Sequence, residues 1–126
     1  MEKSFDLDGR LVRFADKIID IAESLPGTTA GKHLAGQLIR SGVSPALQYA
    51  EAQSAESRAD FVHKMKISLK ELRESYAALR LINMRRWCPD TSIQPALREN
   101  NELIAIFVTS VKTAQGNQKL AGSSKG

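Results

Sequence analysis

Apolar residues in this chain return every three or four positions in four long stretches, with short breaks between them and no run of strict alternation. That period places them along one side of an α-helix, whereas a half-buried strand needs a period of two. The chain is therefore expected to be all-α. Four amphipathic helices joined by short turns suit an antiparallel up-down-up-down four-helix bundle. A length of 126 residues fits one domain that carries its own core.

The first helix is expected from about Asp8 to Leu25. Leu11, Ala15, Ile18, Ala22 and Leu25 form its apolar face, widened by Phe14 and Ile21, and Pro26-Gly27 ends it. The second is expected from Ala30 to Ala52 with Thr28 or Thr29 as N-cap. Its apolar and small residues cover more than half the circumference, and Pro45 inside it should bend or locally break it. The third is expected from Arg58 to Met84 behind an N-cap at Ser57, with Phe61, Met65, Leu69, Leu72, Tyr76 and Leu79 facing inward. Cys88-Pro89-Asp90 closes the next turn. The fourth is expected from Thr91 or Ser92 to Lys112, presenting Ile93, Leu97, Ile104, Phe107, Val108 and Val111. Residues 1–115 then make the bundle, and the Gly-, Ser-, Asn- and Lys-rich stretch 116–126 is expected to be a disordered tail.

Several kinds of chemistry are disfavoured by what the chain lacks. A di-iron bundle needs two inward Glu-x-x-His pairs. Here Asp60 and His63 alone approach that spacing, on a polar face, and His33 stands apart. The single cysteine, Cys88, has no histidine near it in sequence, and no phosphate-cradling glycine loop or nucleophile elbow occurs. The expectation is a protein that is not an enzyme and takes no cofactor or metal. The opening residues Met1–Leu7 lack the basic segment and apolar run of a signal peptide, and no apolar run reaches the roughly 20 residues of a membrane span. A cytoplasmic location without membrane attachment is expected.

Charge is the more informative pattern. The net +4 and pI of about 9.4 permit an acidic partner without demanding one. At roughly 100° per residue, Lys66, Lys70, Arg73 and Arg80 share one outer stripe of the third helix, and Arg85 and Arg86 extend it. Glu71 and Glu74 lie on the other flank beside Ile67 and Ala78. Three readings are open: a solvated face, a subunit contact between acidic and basic flanks, or phosphate contact with nucleic acid. The second helix speaks for self-association. Ile39, Val43 and Leu47 exceed what one seam consumes, and Gly36, Gly42, Ala46 and Ala50 permit close approach. The expected interface is Ile39, Val43, Leu47, Ile67, Glu71 and Glu74.

Residues 37–52 (Gln37-Leu-Ile-Arg40-Ser-Gly-Val-Ser44-Pro-Ala-Leu-Gln48-Tyr-Ala-Glu51-Ala) precede Ser57-Arg58-Ala-Asp60-Phe61 and Lys66-Ile-Ser68-Leu-Lys-Glu71-Leu-Arg-Glu74-Ser75. In that order they resemble the four-helix bundle proteins encoded in intervening sequences of bacterial 23S ribosomal RNA genes. The accessory variability protein of diversity-generating retroelements belongs to the same group. The resemblance spans about residues 5–112. Gln48, Ala52 and the position of Pro45 depart from the usual pattern around the second interhelical turn. The resemblance implies an up-down four-helix bundle that assembles as a barrel-shaped homopentamer. It also implies binding of RNA or DNA through basic residues, and a reverse transcriptase or RNA-processing partner. Its polar pattern falls on Gln37, Arg40, Ser44, Glu51 and Arg58. With the stripe, the candidate phosphate-contacting set is Lys66, Lys70, Arg73, Arg80, Arg85, Arg86, Arg40 and Arg58. A protein–protein scaffold that binds no nucleic acid is the alternative.

Overall fold

The computed structural model describes residues 6–125, with side chains described through 116. It consists of α1 (Leu7–Glu23), α2 (Thr29–Gln53), α3 (Arg58–Arg85) and α4 (Asp90–Lys125). Local chemistry sets the starts. The side chain of Asp6 accepts from the Gly9 N–H, Thr28 from Gly31 and Ser57 from Asp60, so each of the first three helices begins where a short oxygen-bearing side chain satisfies an orphan amide. α4 was expected to stop near Lys112 but runs to Lys125. The tail expected over 116–126 falls mainly on side chains that lie outside the described residues.

The helices pack around a ring. α2 on α3 is the most extensive pairing, α1 on α2 and α3 on α4 follow, and α1 on α4 is the thinnest. Between them lies one apolar core that includes Leu11, Ile18, Leu38, Met65, Leu72 and Phe107. Each such side chain stabilises the fold by about 1.5–3 kcal/mol through burial. Tyr49 reaches from α2 across to α4, where its ring meets Phe107 edge-on at 6.2 Å. Burial raises the Tyr49 hydroxyl above its ordinary pKa, and the charge of Asp8 adds to the effect.

The core-facing surfaces of α3 and α4 differ from the expected ones. On α3, Val62, Ser68, Ser75 and Ile82 are buried with Met65, Leu72 and Leu79, while Phe61, Leu69 and Tyr76 are only half-buried on its flank. On α4, Ala96, Asn100, Leu103 and Ala114 join Ile93, Phe107 and Val111, and Leu97, Ile104 and Val108 move to the side. The cause is a small polar layer. Ser75 Oγ lies 2.9 Å from Asn100 Oδ1 and 3.0 Å from the Leu72 carbonyl, to which Asn100 Nδ2 also donates at 3.0 Å. Satisfied in this way, a serine and an asparagine occupy core positions that hydrophobicity alone assigns to leucine. Ser68 is also fully buried, and its hydroxyl has no hydrogen-bond partner among the described residues.

α2 does not break at Pro45. It is helical through the proline, whose ring is buried. The hydroxyls of Ser41 and Ser44 donate to the carbonyls of Gln37 and Arg40, four residues back. Packing on both flanks compensates for the one ladder bond that proline removes.

Candidate nucleic-acid interface

α3 packs against α2 and α4 and leaves one face to solvent. Lys66, Lys70, Arg73 and Arg80 all lie there and are exposed. Arg80 lies 14 residues beyond Lys66, about 21 Å along the helix. Between its first three cations runs a shallow depression of about 450 Å³ lined also by Leu69, Glu74 and Ala77. None of the four cations makes an ion pair among the described residues. A row of cations without ion pairs is the electrostatic footprint that a phosphate backbone requires.

The remaining candidate cations divide. Arg40 does not point outward from α2 as a free charge. It donates to Glu71 at 2.8 Å, to Glu74 at 2.7 Å and to Gln37 at 2.9 Å, and so clamps α2 to α3. The hydrogen bond to Glu74 raises the Arg40 pKa, and the same bond holds the Glu74 carboxyl below its ordinary value, with Lys70 adding to the effect. The expectation that Arg40 contacts phosphate and that Glu71 and Glu74 meet a neighbouring subunit is therefore revised. Within this chain the three satisfy one another. Ile67 is half-buried on the same α2–α3 seam, as is Ala78. Arg58 is exposed at the start of α3.

Arg85 and Arg86 finish α3. The Arg85 guanidinium lies 5.5 Å from the centre of the Trp87 ring, within cation–π range. Arg86 has φ 59°, in the left-handed region. Its N–H bonds to the Asn83 carbonyl and that of Trp87 to the Ile82 carbonyl, closing the helix in a Schellman turn. Glycine suits that position, and any side chain there costs about 1–2 kcal/mol. Beside Arg86 a recess of about 490 Å³ is lined by Asn83, Met84, Arg86, Asp90 and Gln94. Of these five, Arg86 is the residue that the charge pattern of the sequence marks as a candidate. The doubled arginine and tryptophan ahead of Pro89 were the available signal, but which neighbours they meet depends on how α4 leaves the turn.

Along α1 and α2, the apolar interface candidates regroup. Leu47 is 64% exposed and Ile39 37% exposed, with Val43 half-buried between them. A Cβ on Gly42 would lie 2.8 Å from Ile18, which fixes the antiparallel register of α1 against α2. At that register Val12, 54% exposed, and half-buried Ile19 fall along the same groove. Val12, Ile19, Ile39, Val43 and Leu47 thus form one apolar strip, with Ile67, Glu71 and Glu74 on the neighbouring α2–α3 seam that Arg40 bridges. Gly42, read as a site of close approach between subunits, serves the α1–α2 contact inside the chain.

Among the described residues no cluster of histidine, cysteine, aspartate or glutamate could hold a metal ion. Cys88 is half-buried, with Ser24 Oγ 3.8 Å from its sulfur. No helix of the described residues is long and apolar enough to cross a membrane.

Comparison with known proteins agrees with this architecture. The family profile of the 23S rRNA-intervening sequence proteins matches residues 9–109, which span all four helices. The chain belongs to that family. A solved structure from Bacteroides thetaiotaomicron, a protein of unknown function from the S23 ribosomal protein family, superposes with a TM-score of 0.77. It is 26% identical, and the match covers 83% of this chain and 97% of that one. No curated protein matches. Membership in the 23S rRNA-intervening sequence proteins accounts for the all-helical four-element fold.

Proposed function

We propose that this member of the 23S rRNA-intervening sequence proteins is a non-catalytic, homo-oligomeric module that binds structured RNA or DNA by its phosphates. The observation that carries the proposal is the stripe of Lys66, Lys70, Arg73 and Arg80 on the solvent face of α3, without ion-pair partners among the described residues. Such contacts act mainly through charge and counterion release, so binding should be weakly sequence-selective and strongly salt-dependent. The apolar strip along α1 and α2 supports self-association, because contiguous exposed apolar surface is costly in water. The family resemblance favours a homopentameric barrel. It also favours a role in the cytoplasm beside a reverse transcriptase or RNA-processing enzyme.

The test is fluorescence anisotropy of nuclease-treated protein with a structured RNA and a DNA duplex, at about 50 and about 200 mM salt. Lys66→Glu, Lys70→Glu and Arg73→Glu together should abolish binding while the helical circular dichroism stays unchanged. Unchanged affinity in the triple variant sinks the stripe as the site. A fall in oligomer mass instead of affinity favours the scaffold reading.

A further inference from the structure

We propose that the recess at the α3–α4 corner is a subsite for one unpaired nucleotide, with guanine as the preferred base. The inference rests on the nucleic-acid reading above and names what the strand does at the end of the stripe. The recess follows Arg80 along α3, so a backbone tracking the stripe arrives there. Its volume of about 490 Å³ lies within the range of small-ligand sites.

The lining suits a base rather than a simple anion. Asn83 and Gln94 each carry an amide that both donates and accepts. Asp90 brings a carboxylate whose two oxygens match the adjacent N1–H and N2–H donors of guanine. Met84 is 80% exposed, and its thioether offers the polarisable apolar contact that an aromatic face favours. Arg86 supplies the cation for the phosphate. An unpaired base presents its hydrogen-bonding edge to such a site, whereas a paired one does not.

The backbone at Arg86 gives an independent reason to look for function. An arginine occupies the left-handed position that closes α3, where glycine would be less strained. Strain of that kind is tolerated where the side chain is needed. Replacing it should therefore separate stability from binding.

The experiment compares two RNA hairpins in anisotropy titrations with the full chain, one blunt and one ending in a single 3′ guanosine overhang. Wild type should bind the overhang hairpin about tenfold more tightly, the worth of one good base contact. A uridine overhang should recover little of that gain. Arg86→Gly should raise the Tm by about 3–6 °C through relief of strain. The same substitution should remove most of the overhang preference, read as the ratio of overhang to blunt-hairpin affinity. Arg86→Lys should retain the preference, and Asn83→Ala with Gln94→Ala should lose it without the Tm gain. Arg73→Ala should weaken both hairpins alike. Equal binding of blunt, guanosine and uridine hairpins overturns the subsite and leaves the stripe standing, as does an Arg86→Gly effect of equal size on all three. Absence of binding to any hairpin overturns the subsite, and absence of binding to the DNA duplex as well overturns the proposed function with it.

Discussion

A methyl group added at Gly42 would stand 2.8 Å from Ile18 Cγ2, closer than real carbon contacts allow, and Ile18 is itself fully buried. Gly42→Ala must push α1 away from α2. It should cost about 1–3 kcal/mol, read as a lower urea midpoint. The buried amide of Asn100 has the opposite logic, since removing it leaves polar groups stranded. Asn100→Ala should cost about 2–3 kcal/mol, because Ser75 loses a partner and the Leu72 carbonyl loses a donor. A loss below roughly 0.5 kcal/mol in the same urea titration would mean that water enters and takes over those bonds. Neither residue is conspicuous in the sequence. A glycine within a helical pattern reads as a weakness until its neighbour is known.

At the scale of the helices, two arginines tie neighbouring elements across a seam. Arg10 holds Glu99 through two bonds, at 2.9 and 2.6 Å, and also reaches Glu102 at 2.9 Å, joining α1 to α4. That bidentate geometry raises the Arg10 pKa and anchors the thinnest pairing of the bundle. Arg40 does the same for α2 and α3, where the pH dependence can be worked out. Glu74 has a folded pKa depressed below its ordinary 4.5, chiefly by the hydrogen bond from Arg40. Its contribution is present above the ordinary value and is lost as pH falls through the lower folded value. Arg40→Gln should therefore destabilise the protein near neutrality, and the gap from wild type should close as pH is lowered past 4.5 towards 3. Urea midpoints at the two ends of that range check it. An unchanged gap would assign the effect of Arg40 to packing instead of charge. Because the pair is partly exposed, added salt should also shrink the difference.

For the whole molecule, the cation stripe and the apolar strip lie on different helices, the stripe on α3 and the strip of Val12, Ile19, Ile39, Val43 and Leu47 on α1 and α2. Assembly through the strip would leave the stripe accessible. Val12→Glu with Leu47→Glu should then reduce the mass in light scattering to that of one chain of 13.8 kDa, with helicity retained. An unchanged mass would move the interface elsewhere.

The sequence by itself determined the number of helices, two of their N-caps, the core of α1 and the outward direction of Lys66, Lys70, Arg73 and Arg80. These follow from a 3.6-residue period and from local bonds between a side chain and an amide three residues on, neither of which needs a distant partner. Only the tertiary structure decided that Ser68, Ser75 and Asn100 turn inward and that the helix continues through Pro45. It also decided that Arg40 is paired with Glu71 and Glu74, and that Val12 joins Leu47 in one strip. Each of these depends on which helix lies alongside, at what register and how closely. A helical wheel shows which residues share a face, but the partner across the seam determines whether a polar side chain is bonded there and whether an apolar one is covered.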